Sequence, residues 1–380
     1  MTLRIIMEIN FIDLERQQQK IEKEINSAIS RVLRTGQYIM GQECLDLEQQ
    51  LAEYTGRKYC IGCANGTDAL RLALKALKIK KDDFVLTTDF TFFATSEVIA
   101  ELDAIPIFVD VDETYNICPI DLERKILTLK SSGKNLVGIL SVDLFGLPAN
   151  HNETNRLAKQ HGLWHVEDAA QGFGGRIDNK TACSFGDIST TSFFPAKPLG
   201  CYGDGGAIFT DSLDVAEYIR SLRVHGKGSH KYENINIGYN SRLDTIQAAI
   251  LLEKLKIFDK EVVKKNEIAA RYTDVLERTR GIIVPTVPAG YTSSWAQYTL
   301  RVERREELMT YLKTQGIPTT IYYPKTMSQT KALIKYSKYQ VGELKNSVKY
   351  SNSVLSLPMH AYLTDDEVNY ICKKILSFYS

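Results

Sequence analysis

The sequence predicts an α/β protein with a mostly parallel central sheet flanked by helices, followed by a smaller α+β C-terminal domain. Three observations carry this reading. Between residues 59 and 166, short apolar runs alternate with stretches of helical periodicity, and repeated strand and helix in that order build a parallel sheet covered on both faces. At 380 residues the chain exceeds what one core usually serves. Beyond a long helical stretch at 243–276 the pattern becomes a mixture of strands and helices. The expected division falls near residue 255, giving a large domain over 1–255 that includes the N-terminal helices and a small one over 256–380.

Taken in order, the chain begins helical. Ile25, Ala28, Ile29, Val32 and Leu33 keep helical spacing, and Gly36 stands where a helix stops. Leu45, Leu47 and Leu51 mark a second helix closed by Gly56. Residues 59–63 read as a strand and 64–67 as a turn, with Thr67 a possible cap, into a helix over 68–77. Strands follow at 84–87, 105–109, 136–142 and 163–166, with helices at 91–101, 119–129 and 150–160. After a strand at 207–210, Ser212 caps a helix to Leu222. The long helix precedes strands at 281–284 and 296–302 and helices at 305–314 and 365–378.

Composition narrows the function. A net charge of +1 argues against nucleic acid or an anionic membrane as the main partner, while permitting a local basic pocket. Seven cysteines, an odd number spread over the chain, suggest reduced thiols in a cytoplasmic enzyme. Cys60 and Cys63 have redox-motif spacing, but no second pair completes a zinc site, and both fall in a buried strand. No apolar run approaches the ~18 residues of a membrane span. The start is too short for a signal peptide, and Met7 is an alternative first residue.

The chemistry concentrates in Ser192-Phe193-Phe194-Pro195-Ala196-Lys197-Pro198-Leu199-Gly200. Aromatics and prolines hold this backbone extended and apolar, so the Lys197 amine is half-desolvated. Desolvation lowers a lysine pKa and makes the amine one that forms Schiff bases. Upstream, the apolar run 163–166 ends in Glu167-Asp168-Ala169-Ala170-Gln171, which puts the Asp168 carboxylate at the carboxyl end of a strand, where ligands of open α/β sheets sit. The plainer account of Asp168 is a helix N-cap before two alanines. An amine and a strand-end aspartate together suit pyridoxal phosphate, which needs an amine for its aldehyde and an anion for its pyridine nitrogen. Gly203-x-Gly205-Gly206 precedes a strand rather than following one, which sets aside a dinucleotide fingerprint.

The stretches 167–171, 192–197 and Gly238 to Ala249 resemble the DegT-type family of nucleotide-sugar aminotransferases. The likeness runs from about Phe11 to the C-terminus. It implies the aspartate aminotransferase-like fold (fold type I), pyridoxal 5'-phosphate on Lys197, and Asp168 on the ring nitrogen. By the same resemblance Gly66, Thr67 and Ser192 hold the cofactor phosphate, Phe92 stacks on the ring, and Gln171 bonds its phenolic oxygen. The 223–240 stretch, with His225, Lys227, His230 and Lys231, would reach across a homodimer. Asn240 would there contact the other subunit's cofactor phosphate, and Arg242 its substrate pocket.

Within the family, 197–206 and 240–245 are similar to the branch that aminates C-3 of UDP-linked 3-keto sugars, typified by UDP-2-acetamido-3-keto-glucuronate with L-glutamate as donor. Such a role would belong to lipopolysaccharide or O-antigen sugar synthesis. One departure stands out: Tyr322-Tyr323-Pro324 replaces the usual His-Tyr-Pro of the sugar pocket. A neutral tyrosine hydroxyl there leaves the C-6 group of the sugar open. Amination at C-4, a dTDP-linked sugar, and a cofactor-binding regulatory protein are the alternatives.

Overall fold

The computed structural model describes residues 7–230 and 232–380. The readings made on residues 1–6 and on Lys231 lie outside these.

A seven-stranded sheet organises the larger part. Its strands in chain order are β1 Tyr59–Cys63, β2 Phe84–Thr88, β3 Ile105–Val109, β4 Leu136–Val142, β5 Trp164–Asp168, β6 Ile188–Ser192 and β7 Gly206–Thr210. In space they run β1-β7-β6-β5-β4-β2-β3, with β7 antiparallel to both neighbours and the other pairings parallel. Every residue of β2, β3, β6 and β7 is buried; β2, β3 and β7 read as apolar runs for that reason, whereas β6, Ile-Ser-Thr-Thr-Ser, was not expected as a strand because hydroxyl side chains fill it.

Successive strand residues face opposite layers. Val85, Leu140 and Ile208 pack with Leu72, Val98 and Ile219 of helices Gly66–Ala76, Phe93–Glu101 and Leu213–Leu222. Their neighbours Leu86 and Ile139 meet Leu122, Ile126 and Leu157 of helices Pro119–Ser131 and His151–His161. Ala207 and Phe209 meet Leu47 and Leu51 of helix Gln42–Thr55 and Phe258 of helix Thr245–Leu276.

That last helix, 32 residues long, runs unbroken through residue 255. Its distal half gives Ile268, Tyr272 and Leu276 to a separate core, shared with an antiparallel sheet of Ile282–Ile283, Tyr298–Val302 and Val354–Leu357 and with helices Arg305–Thr314 and Asp365–Tyr379.

The differences from expectation have local causes. Helix Gly66–Ala76 starts two residues early because the Asn65 side chain, not Thr67, caps it, accepting from Asp68 N at 2.8 Å. Phe92 stays extended, so the next helix starts at Phe93 rather than at 91. Strand β5 continues through Asp168, and turns rather than a helix follow it, which removes the N-cap account of that residue. Leu33 and Leu45, counted as helix-face markers, are 55% and 52% exposed. Helix Leu14–Lys20, capped by Asp13, and the hairpin strands Arg176–Ile177 and Lys180–Thr181 were not expected; elements this short leave no periodicity to read. Cys60 and Cys63 are buried free thiols.

Candidate active site

The carboxyl ends of β5 and β6 and the start of helix Gly66–Ala76 converge. Asn65 caps the Asp68 N–H, leaving the Gly66 and Thr67 N–H groups without intrahelical partners at the positive end of the helix dipole. Ser192, the last residue of β6, lies against them. A Cβ at Gly66 would come within 2.6 Å of Ser192 Cβ, so this approach requires glycine. Two N–H groups and a hydroxyl thus form a cup of the kind that accepts a phosphate.

Asp168, 4% exposed, ends β5. Its Oδ2 accepts from Thr95 Oγ1 at 2.9 Å and its Oδ1 from Ala170 N at 3.1 Å. Burial raises its carboxyl above the ordinary range, opposed by these two donors and by the Lys197 ammonium. Lys197 is half-buried, and burial pushes its amine down, with Asp168 opposing. The two groups feel each other but form no ion pair within 4 Å, and among the described residues Lys197 Nζ has no hydrogen-bond partner.

Gln171 lies in the turn after β5. Its Oε1 accepts from Phe145 N at 2.8 Å and its Nε2 donates to the Tyr323 hydroxyl at 3.0 Å. The Tyr323 ring stands 6.2 Å from that of Phe92, which is 53% exposed. Half-buried Tyr322 lies beside Phe11, ring centroids 6.3 Å apart. The 223–240 stretch folds back on itself through bridges Val224 with Asn240 and Lys227 with Asn234. Asn240 is exposed and accepts from Arg242 Nη2, while Ser241 Oγ accepts from Ala64 N at 3.3 Å, tying the stretch to the turn before Gly66. Among the described residues neither Asn240 nor Arg242 makes a hydrogen bond or ion pair with Lys197 or Asp168.

Three supports escaped sequence reasoning. Thr95 bonds Asp168 across 73 positions from the buried face of helix Phe93–Glu101, where Ser96 is also buried, so the local sequence does not single it out. Lys254, 2% exposed, donates to Gly200 O at 2.7 Å and anchors the loop of Lys197. Beneath Asp168, Glu167 accepts from Cys183 N and Phe185 N at 2.7 and 2.9 Å, and His151 Nε2 lies 2.7 Å from Asp143 Oδ1.

The comparisons address the same geometry. The DegT/DnrJ/EryC1/StrS aminotransferase family matches residues 19–376. The chain belongs to that family. It is 43% identical over 366 residues, 96% of this chain and 98% of the relative, to a UDP-2-acetamido-2-deoxy-3-oxo-D-glucuronate aminotransferase of Pseudomonas aeruginosa. It is 38% identical over 369 residues, 97% and 98% of the two chains, to a dTDP-3-amino-3,6-dideoxy-alpha-D-galactopyranose transaminase of Aneurinibacillus thermoaerophilus. A DegT DnrJ EryC1 StrS aminotransferase from Brucella abortus superposes with a TM-score of 0.95 at 44% identity, covering 98% of this chain and 100% of that one. NtdA from Bacillus subtilis, solved with bound cofactor PMP, gives 0.90 at 28% identity, covering 99% and 86%.

The protein is thus a DegT/DnrJ/EryC1/StrS aminotransferase with the predicted α/β fold, and its cofactor is pyridoxal 5'-phosphate. The residues present fit that group. A buried carboxylate lacking a cation, a lysine amine without a partner, and a glycine-lined N–H cup match in turn a pyridinium nitrogen, an aldehyde and a phosphate.

Proposed function

We propose that the protein moves an amino group from L-glutamate to the C-3 keto group of a UDP-linked keto sugar of the UDP-2-acetamido-2-deoxy-3-oxo-D-glucuronate type. The observation that carries the chemistry is the unpartnered Lys197 amine held in the field of Asp168 at adjoining strand ends. Support for C-3 comes from the relatives: the glucuronate enzyme, a UDP-N-acetyl-3-dehydro-alpha-D-glucosamine 3-aminotransferase and the dTDP-3-amino sugar transaminases all name that carbon. The dTDP-linked relatives favour a second reading, in which the sugar carries dTDP.

Pyridoxal phosphate, when bound, supplies a carbonyl that takes up the amino group and a ring that delocalises charge from the donor's α-carbon. Lys197 Nζ would carry a proton from the donor's α-carbon to the cofactor's C4′, and in the second half-reaction from C4′ to the sugar carbon that receives the amino group. Asp168, oriented by Thr95 and the Ala170 N–H, holds a proton at the ring nitrogen. Gly66, Thr67 and Ser192 bind the phosphate; Phe92 covers the ring, and Gln171, fixed by Phe145 and Tyr323, bonds its phenolic oxygen. Tyr322 and Tyr323 face the sugar.

The working unit is a cytoplasmic homodimer in which Asn240 and Arg242 complete the partner's site. Exposed Ile235 (63%) and Ile237 (91%) on the stretch that carries them support such an interface. The C-terminal core of Ile268, Tyr272, Leu300 and Ile371 supports a division into domains 1–255 and 256–380, although Phe258, Val262, Met327 and Tyr350 pack with the larger part, and the reaction belongs to lipopolysaccharide or O-antigen sugar synthesis.

The test is a half-reaction. Holoenzyme bleached with L-glutamate is mixed with UDP- and dTDP-linked 3-keto and 4-keto sugars, and return of the visible absorbance is recorded. A UDP-linked 3-keto sugar is expected to restore it fastest; recovery with 4-keto sugars alone would refute the proposal.

A further inference from the structure

A half-open cleft adjoins Lys197, between the N-terminal segment, helix Thr245–Leu276 and the segment 359–362. Two of its lining side chains are almost fully enclosed and lack partners. Lys265 is 7% exposed, and its Nζ has no hydrogen bond or ion pair among the described residues. Burial lowers its amine to about 8, with Glu261 one helical turn earlier opposing. His360 is 6% exposed, and neither ring nitrogen completes a hydrogen bond, although the Asn10 backbone comes near.

The carboxylates of the cleft are already occupied. Glu261 accepts from Gln17 Nε2 at 2.9 and 3.0 Å and from the Tyr362 hydroxyl. Asp13 accepts from Arg16 N at 2.9 Å and Asn10 Nδ2 at 3.1 Å. The imidazole is buried with neither nitrogen paired, the Lys265 ammonium has no protein partner among the described residues, and an anion with two acceptor oxygens would satisfy both Lys265 Nζ and an imidazole N–H.

We propose that this cleft binds a carboxylate through Lys265 Nζ and one ring nitrogen of His360, and that in turnover the carboxylate is the side chain of a dicarboxylic amino donor. The assignment to the donor rests on the glutamate reading above; the carboxylate site itself does not.

Calorimetric titration of the holoenzyme with glutarate, a dicarboxylate with no amino group, tests the site. Wild type is expected to bind it, and Lys265→Met to bind about tenfold or more weakly, the loss of one charge-assisted hydrogen bond. Lys265→Gln, which keeps a neutral donor, falls between, and His360→Phe weakens binding independently should Lys265→Met fold poorly. Glutarate that does not bind wild type, or binds all three variants equally, overturns the site. Bleaching of the visible absorbance by L-glutamate and by L-alanine then identifies the source. A Lys265→Met defect confined to glutamate supports the donor assignment, and equal behaviour toward both amino acids overturns it. Glutarate binding by a holoenzyme that no glutamate bleaches would retain the site and refute the glutamate reading.

Discussion

Lys197 and Asp168 set the chemistry at the scale of single residues. Lys197→Ala is expected to abolish turnover while leaving the far-ultraviolet circular dichroism of the fold unchanged; near-normal activity would remove the lysine from its role. For Asp168→Asn the expected loss in rate is on the order of a hundredfold or more. One pKa unit at the ring nitrogen corresponds to about 1.4 kcal/mol, and unfolding temperature should move little by comparison. Gly66→Ala would press a methyl against Ser192 and narrow the phosphate cup. Dialysis should strip cofactor from that variant faster than from wild type. These residues were legible because each stands in a local signature: a lysine between prolines, an acid ending an apolar run, a glycine before a helix. Thr95 and Tyr323 were not read as supports of Asp168 and Gln171, since those bonds join residues 73 and 152 positions apart and depend on strand order.

At the scale of elements, the parallel strands carry the site because their buried faces fix where the carboxyl ends emerge. The layer under β5 titrates. Burial raises Glu167 to about 8 and Asp143 to about 7, so the folded state retains protons that the unfolded chain has released. Above pH 6.5, where the buried His151 and His165 are neutral in both states, these two carboxyls bind more protons in the native state, and their contribution to stability falls as pH rises from there through about 8. Denaturant unfolding across that range should show this decline, with a shallower slope in Glu167→Gln; an unchanged slope in the variant would place the protons elsewhere. The turn that carries Gln171 is tight. Gly174 has φ +88, and a Cβ there would lie 2.6 Å from the Phe258 ring, so Gly174→Ala should cost about 1–3 kcal/mol in the same assay. Apart from the hydroxyl-rich strand β6, which sequence reasoning missed, the long strands and helices of this part were readable from periodicity to within two or three residues. The hairpin Arg176–Thr181 was not, since strands of two residues are defined by pairing alone.

Across the whole molecule, the long helix joins two cores, and the 223–240 ribbon is rooted on the body by Arg223 and Tyr239 while Ile235 and Ile237 stay exposed. Leu33, Ile39, Phe194 and Ile237 leave apolar surface exposed on the single chain. Ile235→Asp combined with Ile237→Asp is expected to shift the protein toward monomer in light scattering and to reduce activity in parallel. A dimer that persists unchanged would separate this ribbon from the interface. The sequence pattern indicated a long, weakly periodic stretch at this place but not the exposed apolar residues on its return limb, because partner contacts leave no period in one chain.

The account depends most on the lysine that carries the cofactor. Holoenzyme reduced with borohydride and digested should yield one peptide bearing the added pyridoxyl phosphate mass, with fragmentation assigning it to Lys197. A modified peptide mapping to another lysine, or no modified peptide from a coloured preparation, would contradict it.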